Sequence, residues 1–161
     1  MCEGDCMGLI GALACSGRVI GWKGKTPWNY PEELAYYRAL TAGQPLIMGR
    51  KTFEAMPRHA LEGRTNIVFS RTRYRSVLGE FVPSWGAFSR LGVSHGCMVG
   101  GGEIATLFLR KNAISVFYLT HIHAPYPGDV FFPVKMLQNW PREILFKNPH
   151  FTICRYENPR D

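Results

Sequence analysis

Three observations predict an α/β domain built on a mainly parallel sheet. Apolar runs of strand length alternate with helical segments, the first run is apolar almost throughout, and no linker or repeat divides the chain. Met7 to Cys15 reads MGLIGALAC, as expected for a strand buried on both faces of a parallel sheet. Ser16 to Pro27 is a loop punctuated by Gly17, Gly21 and Gly24. A helix runs from Pro31 to Ala42; proline suits the first helical position, where its missing N–H costs nothing. Leu34, Tyr37, the stem of Arg38 and Leu40 recur at helical spacing and define an inward face. Glu33 shares that face, whereas Glu32 points nearer to solvent. A carboxylate on an apolar face is costly without a partner, which makes Glu33 a candidate for recognition or acid–base chemistry. Acidic residues also simply suit a helix N-terminus, and Glu-Glu alone does not separate the two readings.

The alternation continues. Gln44 to Gly49 is a second buried strand, and Arg50 to Met56 begins a helix. Asn66 to Ser70 and the short Glu80 to Pro83 are further strands. Met98-Val99 runs into Gly100-Gly101-Gly102 and a helix from Glu103 to Arg110. Ser115 to His123 and Phe151 to Glu157 are strands with no helix between them, which predicts an antiparallel edge.

With 161 residues, 46% hydrophobic and 19% charged, the composition is that of one globular domain, taken as residues 7–161 after a short extension at 1–6. No apolar run approaches the roughly 18 residues of a membrane span. The amino terminus is acidic, unlike a secretory signal. Five cysteines, Cys2, Cys6, Cys15, Cys97 and Cys154, with no tight pairing, fit reduced thiols in a cytoplasmic protein. Cys2 and Cys6 lack a second Cys/His pair, and His121 and His123 lack ligand partners, so no metal site is expected. The net charge of +7 suggests anionic partners, nucleic acid first, but the charge is dispersed and no nucleic-acid motif is present; small polyanionic ligands explain the balance as well.

In open α/β sheets, ligands bind beyond the carboxyl ends of the parallel strands. Three features fall there: the glycine loop leading to Trp28 and Glu33, the helix start at Gly49-Arg50-Lys51-Thr52, and the triple glycine. Free N–H groups, the helix dipole and two cations make the second an anion site; Ser70 and Arg71 add a hydroxyl and a guanidinium suited to an extra phosphate. The triple glycine is not the Rossmann fingerprint. It implies backbone that touches a ligand or adopts a geometry closed to other residues, or a mere tight turn.

Seven segments in order, LIGALACSGRVIG, TPWNYPEEL, IMGRKTFEAM, GRTNIVFS, VGGGEI, YLTHI and GDVFFP, resemble dihydrofolate reductase over nearly the whole chain from Met7. The resemblance implies a mixed, mostly parallel sheet of about eight strands with flanking helices and an antiparallel C-terminal edge. It implies NADPH-dependent reduction of 7,8-dihydrofolate to 5,6,7,8-tetrahydrofolate, and diaminopyrimidine and pteridine antifolates as inhibitors. The protein would be a cytoplasmic monomer, engaging neither nucleic acid nor membrane.

By position, Glu33 resembles the one ionisable residue of the pterin pocket, binding the 2-amino group and N3 and assisting N5 protonation through water. Thr120 resembles the hydroxyl bonded to that carboxylate, and Trp28 the indole that orders the water. The carbonyls of Ile10 and Val99 would flank the pterin, with Leu34, Tyr37, Met56 and Leu61 as apolar walls. Arg64 would pair with the folate α-carboxylate. Ala12 would hold the nicotinamide carboxamide, and Ile20 and Gly21 would cover the nicotinamide ribose. Arg50, Lys51, Thr52, Ser70 and Arg71 would take the NADPH phosphates. Gly100 and Gly101 would carry a cis peptide, and Gly101, Gly102, Glu103 and Ile104 would line the pyrophosphate. Asp129 would contact the loop that ends near Trp28.

Departures from the bacterial pattern are Glu33 for aspartate, Thr26 for a bulky apolar residue, and Ala105 for tyrosine. Residues 56–61 are also one residue longer than a common bacterial arrangement. These changes are expected to weaken trimethoprim more than dihydrofolate. A pyrimidinone reductase of riboflavin synthesis shares the fold but lacks Pro-Trp followed by a helix-borne carboxylate. A silent binding relative would not need Glu33, Trp28 and Thr120.

Overall fold

Gly8–Cys15 forms strand β1, hydrogen-bonded in parallel on both sides and buried along most of its length. The computed structural model describes residues 8–72 and 76–159, so Met7 and the extension expected at 1–6 lie outside the described residues. The other strands are β2 (Val19–Gly21), β3 (Leu46–Gly49), β4 (Asn66–Phe69), β5 (Glu80–Val82), β6 (His95–Met98), β7 (Ile114–Ile122), β8 (Val130–Phe131), β9 (Arg142–Lys147) and β10 (Phe151–Glu157). The helices are α1 (Pro31–Thr41), α2 (Arg50–Ala55), α3 (Arg58–Leu61), α4 (Trp85–Arg90) and α5 (Gly102–Arg110).

The main sheet has eight strands in the order β5-β4-β3-β6-β1-β7-β10-β9. From β5 to β7 every pairing is parallel, while β10 runs antiparallel to both β7 and β9. The mostly parallel sheet, the flanking helices and the antiparallel C-terminal edge are those predicted. The chain leaves β1, builds outward through β3, β4 and β5, then returns to place β6 and β7 on either side of β1. The carboxyl ends of β1, β3 and β6 therefore meet at one edge, where the connecting loops must diverge.

Phe88, Phe108, Phe117 and Phe132 anchor the larger core and are fully buried. Phe108 meets Phe88 at 5.2 Å and Trp85 at 4.9 Å, which docks α4 on α5. Gly11 gives the Phe117 ring its place on β1: a Cβ there would lie 2.5 Å from the ring.

Several elements differ from the expected ones. Helix α4 is only six residues long, too short for a helical period to register; Ser84 Oγ caps it by accepting from the Ala87 amide at 3.1 Å. Strand β9 is exposed throughout, so no burial alternation marks it. Strand β2 lies inside the predicted glycine loop and pairs with β8, a partner over a hundred residues away that local sequence cannot name. Helix α3 occupies the longer segment after Met56 and buries Leu61.

The inward face predicted for α1 is corrected. Leu34 is 41% exposed, Arg38 is exposed and Leu40 is half-buried. Tyr37 turns inward as expected, but it is the adjacent Tyr36 that joins it, each against a different apolar cluster. The helix bridges two clusters, so two neighbouring rings diverge to reach one each, and no single stripe forms.

Truncating Phe117 in this closed core is expected to cost about 3–5 kcal/mol. Urea denaturation of Phe117→Ala should show a lower midpoint with an unchanged slope.

Candidate active site

The first turn of α1 combines a favourable dipole with unfavourable burial. Glu32 and Glu33 both sit near the free amides of the helix start. Glu32 faces out, accepting a hydrogen bond from Asn148 Nδ2 at 3.0 Å. Glu33 is half-buried, and loss of hydration pushes its carboxyl above the usual carboxylate range. Burial also raises the Tyr37 phenol; Arg64 opposes that rise and Glu33 adds to it. Tyr37 is therefore within electrostatic reach of both Glu33 and Arg64.

Trp28 is 7% exposed, and its Nε1 has no hydrogen-bond partner among the described residues. It packs with Ile122, Phe151 and Ile153, against which Ala14 and Tyr36 also lie. Thr120 is opposite Ala14 on one side and Ile153 on the other. Residues directly across a sheet share a face, so Thr120 points to the side occupied by Trp28 and Tyr36. His121 takes the other face, with Nε2 2.8 Å from the Tyr156 hydroxyl. Burial lowers its pKa, helped by Arg142 and His123.

Ile10, Tyr37 and Met56 pack against one apolar cluster that contains Leu61 and Val99. Leu34 is exposed. Beside the cluster, the buried Asn66 stitches the loop of Arg64 in place: its Nδ2 donates to the carbonyls of Leu61 at 2.9 Å and Leu78 at 2.8 Å. Arg64 itself donates from Nη2 to the Thr41 carbonyl at 3.3 Å, tying it to the end of α1.

A second assembly joins the end of β3 to the turn after β6. The Gly49 amide donates to the Gly100 carbonyl at 2.9 Å, and the Val99 amide to Ile47 at 2.9 Å. Gly49 lies against Ile104, and Gly101 faces Thr52 Oγ1, 3.7 Å from where a Cβ would stand. The Gly100–Gly101 peptide is cis, and Gly100 has a φ of +108°. A Cβ on Gly102 would collide with the Phe131 carbonyl of β8. Two of the three glycines are thus required by their own chain, by left-handed backbone at Gly100 and close approach at Gly102.

Arg50 contacts both carboxylate oxygens of Glu54 at 3.1 and 3.2 Å in an exposed pair on its own helix. Lys51, Arg71 and Glu103 are exposed. Ser70 Oγ donates to the Thr72 carbonyl at 3.0 Å. Ala12 is buried in the middle of β1. Ile20 and Gly21 are half-buried in β2. The Asp129 amide donates to the Gly21 carbonyl at 2.9 Å, and Asp129 Oδ2 accepts from the Lys23 amide at 3.2 Å.

Sequence reading missed Tyr126, which meets Trp28, and Tyr30, which packs against the same cluster. The available signal was Pro125-Tyr126-Pro127-Gly128, an aromatic between two prolines in a loop, but nothing local names its contact. Among the described residues, no group of three or more His, Cys, Asp or Glu is arranged to hold a metal ion, and no helix is long and apolar enough to cross a membrane.

The family model described as "Dihydrofolate reductase" matches residues 7–148. The chain is 39% identical over 131 residues to a dihydrofolate reductase of Haemophilus influenzae, covering 80% of this chain and 78% of that one. It is 36% identical over 135 residues to the dihydrofolate reductase type 3 of Salmonella typhimurium, covering 82% and 81%. A dihydrofolate reductase of Neisseria meningitidis serogroup B is 34% identical over 157 residues, covering 92% and 95%.

Because burial raises Glu33, the folded chain keeps that proton to higher pH than the unfolded chain does. Folding stability is therefore lost as pH rises from the ordinary glutamate range through the raised value. Glu33→Gln is expected to match wild type near about pH 4 and to be more stable near about pH 8. Thermal midpoints across that range check this; a difference that fails to widen with pH contradicts it.

Proposed function

The chain belongs to the dihydrofolate reductase family, the NADP-dependent oxidoreductases of folate metabolism, and we propose that it reduces 7,8-dihydrofolate to 5,6,7,8-tetrahydrofolate with NADPH. The observation that carries this reading is Glu33, a half-buried carboxyl at the first turn of α1 that burial raises above the usual carboxylate range. A pterin presents its 2-amino group and N3–H as a matched pair of donors for the two oxygens of the ionised carboxylate. Protonating N5 makes the adjacent C6 a better hydride acceptor, and a carboxyl with a raised pKa keeps its proton closer to neutral pH.

In this reading Glu33 binds the pterin and feeds the proton toward N5 through water. The Thr120 hydroxyl orients the carboxyl, and the unpartnered Nε1–H of Trp28 holds the water. The carbonyls of Ile10 and Val99 flank the ring. Tyr37, Met56 and Leu61 wall it, with the more exposed Leu34 at the rim. Arg64, fixed through Thr41 and Asn66, takes the α-carboxylate as a fork that matches two oxygens.

The donor set fits NADPH: cations and hydroxyls at Arg50, Lys51, Thr52, Ser70 and Arg71 suit its phosphates, beside the backbone of Gly100, Gly101, Gly102, Glu103 and Ile104. Ala12, Ile20 and Gly21 would hold the nicotinamide end. When bound, the cofactor supplies the hydride for C6. The accompanying assignment is a single-domain, cytoplasmic monomer.

Glu33 also carries a reading of inhibitor preference. Thr26 is exposed on its loop and Ala105 is 0% exposed within the larger core, so Glu33 is the departure best placed to act on a ligand. One added methylene shifts the charge relative to the helix, and a rigid diaminopyrimidine accommodates the shift less readily than dihydrofolate.

Oxidation of NADPH with dihydrofolate, followed by absorbance, tests the activity. The rate should fall at alkaline pH, and Glu33→Ala should lower it by about 10²–10⁴-fold; full activity in that variant would sink the assignment. Glu33→Asp should tighten trimethoprim inhibition more than it changes the KM for dihydrofolate. An unaltered inhibition constant would remove the inhibitor reading alone.

A further inference from the structure

Tyr126 stands in the loop between β7 and β8, between Pro125 and Pro127, whose fixed φ angles stiffen its backbone. Its ring meets Trp28 edge-on, with centroids 5.6 Å apart and planes at 64°. Its hydroxyl oxygen lies 2.9 Å from that of Tyr30. Tyr30 immediately precedes α1, and its carbonyl accepts from the amides of Glu33 at 3.0 Å and Leu34 at 3.1 Å. The Tyr30 ring is also stacked on His150 at 5.2 Å and tilted on Phe151 at 6.3 Å. One side chain, Tyr126, thus touches both the buried indole and the residue whose carbonyl starts the Glu33 helix.

The loop that carries Tyr126 is tied down independently of α1. Ser16 Oγ donates to the Ala124 carbonyl at 2.6 Å, anchoring the loop to the end of β1. Asp129 anchors its other end through Gly21 and Lys23. The place of Tyr126 is therefore set by the sheet and by β2, and it transmits that place to Trp28 and Tyr30.

We propose that Tyr126 is a positioning residue for the reduction: its ring edge sets the plane of Trp28, and its hydroxyl, through Tyr30, sets the first turn of α1 and the place of the Glu33 carboxyl. This rests on the roles given above to Glu33 and Trp28. Tyr126 itself acts only through Trp28 and Tyr30. A hydroxyl pair in a half-buried site is worth a small factor, large enough to read in a rate. The bond also holds the Tyr30 phenol above its usual range, so it stays intact across neutral pH.

The test uses the full chain with Tyr126→Phe, Tyr30→Phe, the double variant and Tyr126→Leu. The readouts are kcat against pH, KM for NADPH and the thermal midpoint. Each phenylalanine variant should lower kcat by about 2–10-fold and leave KM for NADPH unchanged. It should also move the alkaline fall in rate to lower pH, because a looser first turn admits water to Glu33. The double variant should be no worse than the worse single, since both changes delete the same bond. Tyr126→Leu, which also removes the ring edge, should fall further, and combining it with Trp28→Phe should add little to Trp28→Phe alone.

Superimposable pH profiles, or single losses that multiply in the double variant, would overturn the proposal. So would a lower thermal midpoint with unchanged kcat and pH profile, which would make the bridge structural only. A wild type that fails to turn over dihydrofolate, or an active Glu33→Ala, would overturn the functional reading and this proposal with it. An active enzyme that needs Glu33 and ignores Tyr126 would overturn the positioning role alone.

Discussion

Strand β1 lies in the interior with parallel neighbours on both sides, and its backbone groups must be satisfied by those neighbours or not at all. That demand fixes β6 and β7 against it. Because β3 then pairs with β6, three strand ends converge at one edge of the sheet. Gly11 keeps one face of β1 open for Phe117, while Ala14 and Thr120 leave room for Trp28 on the other. The candidate site inherits its shape from this pairing. One half is built on the strand ends with glycine turns, and the other on a helix that leans across two apolar clusters.

Glu33 occupies a place where two effects oppose each other. The helix start favours a negative charge, and burial disfavours it. Burial prevails, and the carboxyl is raised. The contrast with Glu32 is one of environment alone, since the two residues are adjacent and identical. Glu32 reaches Asn148 in solvent; Glu33 is half-buried, within electrostatic reach of Tyr37.

The parts of the fold legible in the sequence were those with strong local signals. The apolar runs of β1, β3, β4 and β7, the Pro31 start of α1 and the triple glycine before α5 all announced themselves. Elements without such signals did not: the six residues of α4, the exposed β9, and β2, which exists only because β8 pairs with it. The apolar stripe on α1 failed for a related reason. Periodicity assumes one buried face, and α1 bridges two clusters through Tyr36 and Tyr37, leaving Leu34 exposed.

By itself the sequence determined the α/β class, the family, and the choice of Glu33 over Glu32, because these follow from residue type, order and short spacings. The tertiary structure alone decided which groups surround that carboxyl. Tyr30 meets Tyr126 across 96 positions, Asn66 holds the loop of Arg64 through Leu61 and Leu78, and the Phe131 carbonyl explains why residue 102 is glycine. The first and last of these join segments far apart in the chain. Their specificity resides in the closed packing of the folded molecule, which no local pattern of side chains encodes.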